Sequence, residues 1–248
     1  MKTTTAPLLF GAILTTLVSC GSVVPSTKAT ITNRTANGAV QTFTVPLDSK
    51  ATTGLTGVTL YILQPAGHAP LLVTGTLNPG KTQVTFDLTH TNPEATIEAV
   101  KDYGKPTSGT WEVQCSGNLN SNLSDFKGNF GVTFMLNYGD AAKPAAIQKT
   151  TLKEQGEARN TASMQSVQLA YSHTAGRILG KQSCTYKTSV STNTLNYDID
   201  TQLAQGWNQL NINGDITTTV VGSSVTIDQS FSMTDSRDLG TLQLSLLQ

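Results

Sequence analysis

Charge is scarce in this 248-residue chain: Asp, Glu, Lys and Arg make up 13% of it, sixteen basic residues against sixteen acidic. So even a balance leaves no basic footprint for nucleic acid and no polybasic cluster for anionic lipid heads. Aromatic residues are only 6%, too few for the interfacial girdles of a membrane-spanning β-barrel. The three histidines, His68, His90 and His173, are far apart in sequence. No HxH or HExxH pair therefore presents two imidazoles from one element. No serine stands in a G-x-S-x-G elbow, and no CxxC accompanies any of the three cysteines. No apolar run reaches the roughly 20 residues that a membrane-crossing helix needs. These gaps argue against an enzyme, a metal site or a bound cofactor. The polar surface must come from Thr, Ser, Asn, Gln and Gly.

The first residues read as a targeting signal. Lys2 supplies a short positive region, and Leu8 to Ser19 is apolar and uncharged. At about 12 residues it has the length of a signal-peptide core and is too short for a span. It ends at Leu17-Val18-Ser19-Cys20. That run resembles the lipobox of bacterial lipoproteins: an aliphatic residue, a tolerant position, a small residue, then cysteine. The resemblance implies diacylglycerol on the Cys20 thiol, cleavage before Cys20 and acylation of the new amine, so that two or three chains hold where one would bind only marginally. Gly21 stands where such lipoproteins carry aspartate when they stay in the inner membrane. An outer-membrane location is therefore favoured if the cell has an outer membrane.

Residues 1–19 are thus the signal peptide. Residues 20–38, rich in Ser, Thr and Asn, read as a flexible tether. With Cys20 assigned to lipid, Cys115 and Cys184 remain. An even pair in an exported chain suggests a disulfide, and two buried free thiols are the rival reading.

Beyond the tether, period-two alternation dominates. Expected strands are Val40–Val45, Gly57–Leu63, Leu71–Leu77, Thr82–Leu88 and Thr96–Val100. Trp111, Val113 and Cys115 fall on one face, as do Phe130, Val132, Phe134 and Leu136. Asp140–Met164 fits a helix or a strand at Ala146–Leu152 with a polar loop at Lys153–Asn160, and the strand is favoured. Further faces are Val167/Leu169/Tyr171, Cys184/Tyr186/Thr188/Val190, Leu195/Tyr197/Ile199, Val225 to Met233 and Leu242/Leu244/Leu246. Asn213-Gly214 is a strong hairpin signal, and Gly222-Ser223 marks another turn. The pattern predicts an all-β fold, an antiparallel β-sandwich, with an N-terminal β region at 39–105 and a C-terminal sandwich region at 106–248. Whether these are one domain or two small sandwiches is open. Both cysteines lie on apolar faces, which predicts a bond inside a two-sheet core.

Two local features invite a chemical reading. Asp198 and Asp200 share a strand face and, with Asn211, Asn213 and Asp215, could offer oxygens to calcium, although the twelve-residue Ca loop is absent. Gly206-Trp207-Asn208 follows the Cys184 strand and Tyr197-Asp198-Ile199. Together these resemble a pattern in uncharacterised secreted lipoproteins of Deinococcus-type bacteria. The resemblance spans roughly Gly180 to Ile212 plus the lipobox and implies no activity. Trp207 packs at the core edge on one reading and is an exposed sugar-stacking platform on the other.

The expectation is a membrane-anchored envelope lipoprotein with a non-catalytic structural or interaction role, in contact with the membrane through Cys20 and with envelope proteins or glycan through its surface. The alternative is a β module that binds cell-surface glycan or another ligand through Trp111 or Trp207. A hydrolase of unrecognised type ranks behind both.

Overall fold

The alternating segments form strands, and no α-helix occurs among the described residues. The computed structural model describes residues 33–34, 38–96, 112–121, 127–154, 156, 158–235 and 242–247. The signal segment with Cys20, the tether apart from 33–34 and 38, Trp111, and the expected strand after Thr96 lie outside them. The strands in chain order are β1 (Asn33–Arg34), β2 (Val40–Pro46), β3 (Gly57–Ile62), β4 (Leu71–Leu77), β5 (Gln83–Asp87), β6 (Glu112–Ser121), β7 (Gly128–Asn129) and β8 (Val132–Tyr138). Then come β9 (Ala141–Glu154), β10 (Arg159–Ser172), β11 (Gly176–Lys187), β12 (Ser191–Leu203), β13 (Gly206–Val221), β14 (Ser224–Asp235) and β15 (Leu244–Leu246).

Pairing runs β2-β5-β4-β3-β8-β9-β10-β13 and returns to β2 where Trp207 of β13 meets Val40. These eight strands close a barrel-like ring, in place of the expected sandwich. Strand length explains the difference. β2 to β5 have five to seven residues, whereas β9, β10 and β13 have fourteen to sixteen. One end of each long strand completes the ring, and the other end projects beyond it. There the sheet continues β13-β14-β12-β11-β6. Period-two alternation assigns a residue to a face but does not choose the strand's partner. β3 pairs with β8, so strands from both sides of the expected 105/106 boundary lie side by side in one sheet.

Two cores result. Inside the ring, Phe43, Leu60, Phe86, Phe134, Leu136, Ile147 and Leu169 are among the buried side chains. The Phe134 ring sits 6.2 Å from Phe43 and 5.7 Å from Phe86, within the range of favourable aromatic contact. The second core lies on one face of the projecting sheet: Leu119, Phe130, Ala170, Ile178, Tyr197, Ile199, Leu203, Leu210 and Met233. β10 and β13 serve both cores, because successive side chains point to opposite faces. Val167, Leu169 and Trp207 face the ring, while Ala170 and Leu210 face the second core. Phe130 does not share a face with Phe134 and Leu136 as expected: it precedes β8 and packs into the second core.

Asn213-Gly214 makes no hairpin. β13 runs straight through it, pairing residue by residue with both β10 and β14. The turn falls at Gly222-Ser223, where Val221 pairs with Ser224. Gly214 is opposite Phe231, and a Cβ on it would come within 2.5 Å of that ring. The glycine makes room for an aromatic ring lying over the strand, as in aromatic rescue of strand glycines. The ambiguous segment resolves as strand: β9 extends through Pro144 to Glu154, and β10 resumes at Arg159.

Candidate functional site

Cys115 and Cys184 are bonded to one another. They face one another across β6 and β11, with Cα atoms 4.1 Å apart and a sequence separation of 69. Cys184 is fully buried and Cys115 is exposed. The bond thus ties neighbouring strands of a single sheet, not two sheets across a core as expected. Adjacent antiparallel strands bring opposite residues this close, so the pairing needs no second layer.

Trp207 is not a surface platform. It is 2% exposed, its indole N–H donates to the Thr91 carbonyl at 2.8 Å, and Tyr171 packs against it edge-on at 5.4 Å. The Gly206-Trp207-Asn208 motif is structural throughout. β12 and β13 are joined by two residues yet are not neighbours, because β14 inserts between them and pairs in parallel with β12. The splayed connection leaves backbone groups without a ladder. Asn208 satisfies them: its side-chain amide donates to the carbonyls of Ala204 and Gly206, and its oxygen accepts from the Ala204 N–H. Gly206 at φ 104° takes a conformation that a side chain would strain.

The carboxylates offered for calcium are already engaged. Asp198 pairs with Lys181 at 2.8 Å, Asp200 with Arg177 through two nitrogens at 2.8 Å, and Asp215 accepts from the Ser163 hydroxyl at 2.7 Å. Asp198 and Asp215 stand on β12 and β13 with β14 between them, about 10 Å apart. The structure thus does not gather the five oxygens suggested for calcium around one point. Among the described residues no three His, Cys, Asp or Glu side chains gather as a metal group. His68 lies 3.1 Å from Glu94, both about half exposed, and His173 packs edge-on against Tyr171 at 5.1 Å.

Sequence reasoning missed a trough of about 670 Å³ across the projecting sheet. Its course follows from register. Met164, Gly214, Phe231, Tyr197, Gln182 and Gly117 lie opposite one another in sequence of strands β10, β13, β14, β12, β11 and β6. Their backbone is the floor, with side chains directed to the other face. On either side stands a row of polar side chains that alternation places on the solvent face. One row is Ser163, Asp215, Ser230, Asn196, Ser183 and Ser116; the other is Gln165, Asn213, Ser232, Asp198 and Lys181. Each residue alone looks like an ordinary exposed strand position, so no linear motif announces the trough.

Comparison with known proteins adds no relative: no family model matches the chain, and no curated protein or solved structure is significantly similar to it.

Proposed function

We propose that the chain is a lipid-anchored protein of the bacterial cell envelope, with a structural or interaction role rather than a catalytic one. Leu17-Val18-Ser19-Cys20 at the end of an apolar segment carries this reading. The Cys115–Cys184 bond supports it, because stable disulfides belong mainly to compartments outside the reducing cytosol. It also engages both other thiols, leaving Cys20 as the odd cysteine that lipid accounts for. The segment 20–38 then links the acylated cysteine to the barrel, and Gly21 favours the outer membrane where there is one.

Substituting Cys20→Ala is expected to abolish incorporation of radiolabelled palmitate and to release the protein from the membrane fraction. Undiminished labelling of the variant overturns the assignment.

A further inference from the structure

We propose that the trough across β10, β13, β14, β12, β11 and β6 is a binding site for a neutral, linear glycan lying across the strands. This goes beyond the envelope reading and does not depend on the anchor.

Three observations carry it. The first is chemical. The walls are mostly hydroxyls and carboxamides, such as Ser183, Asn196, Asn213 and Ser230. These groups both donate and accept hydrogen bonds, as sugar hydroxyls do. The second is electrostatic. Lys181 is matched by Asp198, and Asp215 is held by Ser163. No unmatched cation remains among the lining residues to attract an anionic polymer, and Asp215 leaves a single negative charge that repels one. The third is dimensional. Strands are spaced about 4.8 Å apart, so six of them make a channel roughly 24 Å long. One spacing is close to the length of one sugar in an extended β-linked chain. A glycan laid along the trough meets one pair of wall residues per sugar from β10 to β11 and Ser116 alone at β6, with hydroxyls on both edges of each ring facing the two rows.

A peptide fits less well. The floor strands between β10 and β6 are paired on both sides, so they offer no free backbone edge for strand addition.

The test is calorimetric titration of the full-length protein in detergent with cellohexaose and chitohexaose, alongside a Gly-Ser repeat peptide and a polyanion. At least one hexasaccharide is expected to bind with a Kd of roughly 1 mM or tighter. Ser230→Tyr fills the middle of the trough and is expected to weaken binding by about tenfold or more, while Ser230→Thr retains it. If Ser230→Tyr does not fold, judged by its melting curve, Asn213→Tyr on the opposite wall replaces it. Absence of binding to both sugars, binding that survives the filled trough, or preference for the peptide or the polyanion overturns the proposal.

Discussion

Gly214 shows how one residue can mislead when read alone. Asn-Gly is a hairpin signal because the turn demands positive φ at its central residues. Gly214 is not among the glycines with positive φ; it is a strand residue whose missing side chain accommodates the Phe231 ring. The consequence is testable. Gly214→Ala forces a Cβ into that ring and is expected to destabilise the protein by about 1–3 kcal/mol. Gly214→Ala combined with Phe231→Leu is expected to recover part of that loss, because the clash is with the ring itself. Urea denaturation of the two variants decides it: no recovery in the double variant means that the glycine is required for its backbone. Trp207 teaches the complementary lesson. A tryptophan beside a glycine and an asparagine invites a ligand-stacking reading, but its indole N–H has a backbone partner inside the fold, and burial with that bond satisfied is how tryptophan contributes most to a core.

At the scale of elements, β6 is the terminal strand of the pairing path among the described residues, hydrogen-bonded to β11. Edge strands are the first to fray, and the Cys115–Cys184 bond fastens this one near its middle. Closing a loop of this length stabilises by about 4 kcal/mol on the chain-entropy model. Cys115→Ser, at the exposed partner, is expected to lower the melting temperature by roughly 8–16 °C and to speed amide exchange across Glu112–Ser121 more than in β12. An unchanged melting temperature rejects a stabilising role for the bond. The strand faces themselves were legible in the sequence: Val167 and Leu169, Tyr197 and Ile199, and Phe134 and Leu136 all point inward as their alternation predicts. Their partners were not legible. Nothing in β10 announces that its first half leaves the ring, because the same alternation serves a sandwich, a barrel or a projecting sheet. The trough was hidden for a related reason: Ser183, Asn196 and Ser230 become neighbours only through the register of three separate strands.

For the whole molecule, the question is whether two cores make two folding units. The strands argue against it. β10 and β13 are paired over fourteen residues, and this one ribbon contributes Val167, Leu169 and Trp207 to the ring and Ala170 and Leu210 to the second core. Trp207 and Leu210 are three residues apart on opposite faces of β13, so neither core can lose that strand without exposing the other. Units that share their central backbone ladder open together, whereas units joined by a linker open separately. Calorimetry of the chain is therefore expected to show one transition. Leu210→Ala, from the second core, and Leu169→Ala, from the ring, are each expected to cost about 2–5 kcal/mol and to move that same transition downward. Two peaks, each shifted by only one of the substitutions, would mean that the ring and the projecting sheet fold independently and that the shared strands are a junction rather than a common core.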